Sequence, residues 1–368
     1  MSGPRPSSLE ALRIELEGLP AHPIGERHPR FLWFWALRTL DFATHTRFRA
    51  ARFLSRMRPY PKPFRHVRFR TEDGVHIAGW LAPQPRMAPS RWGLIIAPGL
   101  FATKDDAVHR GRAVAIHERW RIPVLAIDLR AFGESTGIAT AGWKEALDIA
   151  AAAKFLATET GVQRVAVLAE SLAGAAALNA LAYDSQSNAN LLTGGVLCWS
   201  AFVDAKDAVA HISQRPERGD RFYKPWNGFR RLLRFRFRGA YERFDDFLED
   251  AARVNNLKGL EELLDLANPK WKVPLIRAPT LLVHARDDPV VPVRHAETMQ
   301  VYAAEKPNIQ VLVTTWGSHA QFEPKDPLWF WEVSSRFFGF VNQVELPNLA
   351  RATRRTRPPP DTPVVPPG

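Results

Sequence analysis

Short apolar runs alternate along this chain with segments of helical period, and that alternation sets the architecture to expect. Continuous apolar runs near residues 93–97, 122–127, 163–168, 194–199, 279–284 and 308–313 read as strands buried on both faces. Ahead of them, residues 66–70 and 75–81 flank Glu72-Asp73-Gly74, a turn signal that predicts a hairpin. Helical stretches fill the intervals, among them the Ala-rich segment Thr140 to Thr158 and a final helix from Asp326 to Val341. Strands that alternate with helices predict an α/β fold, a mostly parallel, doubly wound sheet covered on both faces. Between the sixth and seventh strands stands an insertion of roughly 70 residues, 203–272.

One strand end carries candidate chemistry. In Val165-Ala166-Val167-Leu168-Ala169-Glu170-Ser171-Leu172-Ala173-Gly174 an apolar run meets a serine between small residues, and a helix-forming segment follows at once. A strand that turns sharply into a helix strains the residue at its apex, and only small neighbours two positions away avoid a clash. Here those neighbours are Ala169 and Ala173 rather than glycines, so the turn is expected to be crowded, with Gly174 restoring close helix packing. The plainer reading makes Ser171 the N-cap of an Ala-rich helix.

A serine hydroxyl becomes nucleophilic only beside a base that a third group orients. Residues Thr280 to Pro292 read as a buried strand ending in Asp287 and Asp288 before a proline turn. Residues Val311 to Phe322 read as a further strand, ending in a glycine loop that carries His319. The chain order is therefore Ser, Asp, His. The other ten histidines lack a strand-then-glycine setting and read as surface or packing residues.

Over residues 65–342 the sequence resembles the α/β-hydrolase superfamily. The resemblance places the family's nucleophile elbow on Ser171, its acid loop on Asp288 and its histidine loop on His319. Asp288 is preferred because it lies three residues after Ala285 and just ahead of Val291-Pro292; Asp287 is the alternative. The resemblance also implies an oxyanion hole. Its donors would be the backbone N–H of Leu172, directly after the serine, and that of Leu100, where Pro98-Gly99-Leu100 stands in place of the His-Gly-aromatic of many relatives. Gly99 would let the backbone approach the substrate closely. Read without the resemblance, Pro98-Gly99 is an ordinary strand-end turn. Asp128-Leu129-Arg130-Ala131-Phe132-Gly133-Glu134-Ser135 resembles the family's Asp-x-Arg-x-x-Gly-x-Ser turn, whose role is structural. Relatives place a helical cap after strand 6, which assigns 203–272 to a cap and residues 63–202 and 273–343 to the hydrolase core. The implied function is a serine hydrolase acting on a small-molecule carboxylic ester or thioester with an apolar acyl group. Hydrolysis of a C–C bond, or acyl transfer, on the same triad is the alternative within enzymes. A serine at the elbow argues against relatives that use an aspartate there to open epoxides or remove halides.

Composition adds limits rather than chemistry. Hydrophobic residues make up 46% and charged residues 24%, ordinary globular usage. The single cysteine, Cys198, excludes an intrachain disulfide and suits a reducing compartment, so a cytoplasmic location is expected. No metal-ligand spacing, nucleotide fingerprint or phosphate loop is visible, and neither cofactor nor metal is expected. The net charge of +12 is uneven: residues 1–70 hold 14 Lys/Arg against 5 Asp/Glu, residues 212–243 hold 10 against 3, and residues 351–357 hold 4 against none. Those segments together carry +20, which leaves −8 for the rest.

Basic character thus belongs to the extension at residues 1–62, to the insertion and to a Pro/Arg-rich tail at 344–368 that reads as disordered. Within the extension, Trp33, Leu37, Leu40, Thr44, Phe48, Ala51 and Leu54 share a helical face, with arginines mostly elsewhere. Such a helix over residues 30–58 either lies on an anionic membrane surface or packs on the hydrolase body. The first alternative leaves open a weakly catalytic, membrane-peripheral binding protein. In the insertion, basic and aromatic residues interleave from Arg221 to Arg238, a mixture suited to an acyl chain with an anionic head or to a solvated face. No nucleic-acid module accompanies the charge, and no nucleic-acid partner is expected.

Overall fold

The computed structural model describes residues 6–33, 60–84, 89–213 and 244–352. Eight strands form one sheet: β1 (Arg65–Arg70), β2 (His76–Ala82), β3 (Trp92–Ala97), β4 (Val124–Ile127), β5 (Arg164–Glu170), β6 (Val196–Trp199), β7 (Thr280–Ala285) and β8 (Ile309–Thr314). Their order is β1-β2-β4-β3-β5-β6-β7-β8. Strand β2 is antiparallel to β1 and β4, and the other pairings are parallel. Each expected strand is present within two residues of its predicted bounds.

The helices in chain order are α1 (Leu9–Glu17), α2 (Ala107–Trp120), α3 (Glu145–Thr160), α4 (Leu172–Gln186), α5 (Ala205–Ser213), α6 (Phe244–Val254), α7 (Leu260–Ala267), α8 (Arg294–Tyr302), α9 (Phe322–Lys325), α10 (Pro327–Asn342) and α11 (Leu349–Ala352), the last within the segment 344–368 expected to be disordered. Side chains alternate along a strand. In β5, Val165, Val167 and Ala169 therefore enter one core with α3 and α4, while Ala166 and Leu168 enter the other with α1, α2 and α10. The sheet is covered on both faces, as doubly wound topology requires.

One helix starts later than its composition predicts: residues 140–144 form a turn, and α3 begins at Glu145. The buried Glu145 carboxylate accepts the Thr140 and Gly142 N–H groups (2.7 and 3.0 Å) and the Thr140 hydroxyl (2.7 Å). Those bonds hold Ala141 and Gly142 at φ +55° and +97°, outside the helical region.

The described part of the insertion comprises α5, α6, α7 and a 3-10 turn, Pro269–Leu275. Helix α7 and the 3-10 turn pack on α4, and Asn179 of α4 donates to the Ala267 carbonyl at 2.9 Å. At the other end of the chain order, α1 packs on β8 and α10 through Leu9, Leu12 and Leu16. His22 N–H then donates to Asp326 (2.6 Å) and Ile24 N–H to the Lys325 carbonyl (2.9 Å). Most of the expected amphipathic helix at residues 30–58, the basic-aromatic stretch Arg221 to Arg238 and the tail beyond residue 352 lie outside the described residues. No helix among the described residues is long and apolar enough to cross a membrane.

Strands β3 and β5 are neighbours whose connections leave in opposite directions, to β4 and to β6. Loops that diverge in this way open a crevice at the carboxyl ends of the strands. Gly99 and Ser171 stand there.

Candidate active site

Ser171 is the single residue between β5 and α4, at φ +51° and ψ −117°. A non-glycine residue in that region costs about 1–3 kcal/mol, so its surroundings must hold it. They do so with the Trp199 carbonyl, which accepts Ser171 N–H at 2.9 Å, and with Ala175 N–H, which donates to the Ser171 carbonyl at 3.2 Å. Ala169 and Ala173 are fully buried, and the crowding is relieved at Gly174, where a Cβ would stand 2.5 Å from Ala201 Cβ. The Ser171 hydroxyl makes no capping bond to α4. It faces His319 instead, with Oγ 3.0 Å from Nε2.

His319 Nδ1 lies 3.0 and 3.1 Å from the two carboxylate oxygens of Asp288. Asp288 is buried at the mouth of β7, and its Oδ1 also accepts Val290 and Val291 N–H, both at 2.9 Å. Burial alone would raise the Asp288 pKa. The charge and hydrogen bond of His319, the nearby His284 ring and the Val291 N–H outweigh it, and the carboxyl titrates below the ordinary aspartate value of 3.8. Asp287 turns the other way. It accepts Ser318 N–H at 2.7 Å and meets Lys325 Nζ at 3.3 Å, so it braces the histidine loop without touching the imidazole.

The loop after β3 approaches the serine closely. A Cβ on Gly99 would stand 3.1 Å from Ser171 Cβ and 3.2 Å from the Glu170 carbonyl, which explains a glycine there. Leu100 follows, half-buried, and Leu172 begins α4. Among the described residues, neither the Leu100 nor the Leu172 N–H donates to another protein group.

Four residues on, Lys104 anchors this loop from beneath. Its buried ammonium contacts Asp105 (2.6 Å), Asp128 (2.9 Å) and Glu134 (3.0 Å), and its N–H donates to Asp128 at 2.8 Å. Asp128 also accepts Glu134 N–H at 2.9 Å, while Arg130 pairs with Asp148 (2.7 Å) and Asp73 (2.9 Å). The Asp-x-Arg turn thus satisfies loop groups, as the resemblance implies. Among the described residues, Asp105, Asp128 and Glu134 form the one carboxylate set close enough to share a metal ion, and the Lys104 ammonium already supplies its cation. Burial would lower the Lys104 pKa, but the three carboxylates raise it, so the amine stays charged.

Two supports, Ser200 and His284, escaped the sequence reading, which did expect the loop glycine Gly317. Ser200, buried after β6, accepts Ala320 N–H at 3.0 Å and so holds the far side of the histidine loop. Gly317, at φ +137°, fits only without a side chain, because a Cβ would stand 2.3 Å from the Phe322 ring. His284 lies behind the acid, its Nε2 2.8 Å from the Val291 carbonyl and 3.9 Å from Asp288. Cys198 is buried, which pushes its thiol pKa up, and Sγ lies against the Gly174 carbonyl.

The sequence of residues 112–333 matches the model of the alpha/beta hydrolase family, a span that holds Ser171, Asp288 and His319. The chain belongs to the alpha/beta hydrolase family. Similar solved structures share its fold. The esterase Pf2001 of Pyrococcus furiosus superposes with a TM-score of 0.54 at 18% identity, over 76% of this chain and 92% of that one. The alpha/beta hydrolase GrgF of Penicillium sp. sh18 superposes with a TM-score of 0.52 at 17% identity, over 75% of this chain and 98% of that one. No curated protein matches the chain significantly by sequence. An alpha/beta hydrolase acts on small-molecule substrates, and this member is read as a hydrolase.

Proposed function

We propose that the protein is a serine hydrolase that cleaves a carboxylic ester or thioester with an apolar acyl group, through an acyl-enzyme on Ser171. The observation that carries this reading is the hydrogen-bonded sequence from Ser171 Oγ to His319 Nε2 and from His319 Nδ1 to Asp288. His319 takes the Ser171 proton as Oγ attacks the carbonyl carbon, and then delivers it to the leaving group. Asp288 keeps Nδ1 protonated and stabilises the imidazolium. The N–H groups of Leu100 and Leu172 receive the oxyanion, a service worth about 3–4 kcal/mol per donor in comparable sites. Water activated by His319 releases the acid.

The apolar acyl preference draws on Leu100, Phe101 and Val290, partly buried apolar residues beside the oxyanion and acid loops. In this reading the insertion serves as the cap. His211 of α5 touches the acid loop, its Nε2 3.0 Å from the Pro289 carbonyl, next to Asp288. A fluorophosphonate probe followed by peptide mapping tests the mechanism. Labelling of Ser171, lost in Ser171→Ala along with p-nitrophenyl ester hydrolysis, is the expected result. Labelling elsewhere, or full esterase activity in Ser171→Ala, overturns it. Product analysis with p-nitrophenyl esters and acyl-CoAs separates hydrolysis from acyl transfer and from C–C cleavage.

A further inference from the structure

Strand alternation places Glu170 where Ala166 and Leu168 point, into the core shared by α2 and α10, yet it is a carboxylate. Its oxygen Oε1 meets Arg112 Nη1 of α2 at 2.7 Å, in a site where Arg112 is only 2% exposed. The same guanidinium meets Glu323 Oε2 of α9 through Nε at 2.6 Å. Glu323 in turn accepts Trp331 Nε1–H at 3.0 Å, and the Arg112 guanidinium stacks 4.8 Å from the Phe330 ring centre. The His109 ring stands on the same carboxylate, 3.8 Å from Glu170 Oε2.

Glu170 is the residue before Ser171, and Glu323 stands four residues after His319, in α9. One buried cation therefore joins the strand end that presents the hydroxyl to the helix that closes the imidazole loop. We infer that Arg112 is a positioning residue that fixes the distance between Ser171 Oγ and His319 Nε2 by clamping Glu170 to Glu323. The clamp lies on the opposite side of the sheet from α4, so it adds a constraint that the elbow's own hydrogen bonds do not supply. A guanidinium suits this duty because N–H groups at different edges of its plane bond two carboxylates in fixed directions, which an ammonium cannot reproduce. The inference rests on the serine-hydrolase reading for its kinetic consequence but not for its geometry.

The test uses the triple variant Arg112→Met/Glu170→Gln/Glu323→Gln, which removes the link without stranding a buried charge, alongside Arg112→Lys. With the clamp gone and the fold retained by circular dichroism and melting, kcat for a p-nitrophenyl ester and the rate of fluorophosphonate labelling should fall roughly 10–100-fold with KM little changed, the size expected for about 1 Å of misplacement. Arg112→Lys should restore part of that loss. A crystal structure of the triple variant should show the Ser171–His319 contact lengthened beyond hydrogen-bond reach. A folded triple variant with kcat within twofold of wild type, or with the contact unchanged, overturns the clamp. If wild-type protein neither labels nor hydrolyses esters, the functional reading fails instead, and the crystallographic distance still decides the clamp.

Discussion

Asp287 and Asp288 are neighbours in the chain, and their carboxylates hold opposite parts of one loop: Asp288 faces the His319 ring, and Asp287 grips the Ser318 N–H next to it. Two adjacent substitutions should therefore give two different defects. Asp288→Asn presents a donor where His319 Nδ1–H needs an acceptor, and kcat should fall about 10⁴-fold with the fold intact. Asp287→Ala leaves the imidazole its partner but frees the loop, and a loss of roughly tenfold is expected, together with about 1–3 kcal/mol of stability from the unsatisfied N–H. Steady-state kinetics on both variants check the contrast. Equal losses would mean that the acid role is shared.

The depressed Asp288 pKa has a signed consequence for stability. A carboxyl whose folded pKa lies below its unfolded value stabilises the native state fully above the unfolded value and loses that contribution as pH falls through the folded one. The unfolded reference is 3.8, so the stability difference between wild type and Asp288→Asn should stay constant at neutral pH and shrink only below about that point. Urea midpoints of the two proteins measured from pH 7 downward give the answer. A difference that fades already between pH 7 and 5 contradicts the assignment.

Gly99 sits where even a methyl group meets Ser171 and the Glu170 carbonyl at 3.1–3.2 Å. Gly99→Ala should push the Leu100 N–H off the oxyanion position, as the loop gives way to the methyl group. We expect a loss in kcat of about 10²-fold with a KM close to wild type. An unchanged kcat would remove Leu100 from the hole.

Lys104 supplies the only cation at hydrogen-bond distance from Asp128 among the described residues. Lys104→Met leaves three carboxylates around an uncharged side chain, and removal of one partner from a buried ionic set costs about 3–5 kcal/mol. The melting temperature should fall by several degrees, measured by calorimetry. Replacing Asp105 and Asp128 by Asn in the same protein should recover part of the loss, because the uncompensated charge is then gone.

The strands were legible because parallel strands buried on two faces are largely apolar, and runs such as Val165 to Ala169 and Leu281 to Val283 alternate with helical stretches. Ser171, Asp288 and His319 were legible for a related reason: each follows such a strand within a few residues, so the strand fixes where the loop begins. What escaped depends on contacts between distant segments. Glu145 draws Thr140 out of a helix its composition favours, and no local pattern signals that. Arg112 and Glu323 are 211 positions apart, and each alone looks like a solvated charge. Ser200 reads as a loop residue until Ala320 N–H arrives at its hydroxyl. Lys104 carries no local signal of burial either, although three carboxylates converge on it.

The first described helix also has a consequence. Strand β8 is the last in the sheet and would present a row of unpaired amides and carbonyls to any other strand, the geometry that seeds aggregation. Helix α1 lies on that strand, and residues 22–24 tie the segment down to the turn before α10. Without this helix, the apolar surface that Leu9, Leu12 and Leu16 cover at β8 and α10 would be bare. An amino-terminal deletion is therefore expected to favour self-association through that uncovered surface.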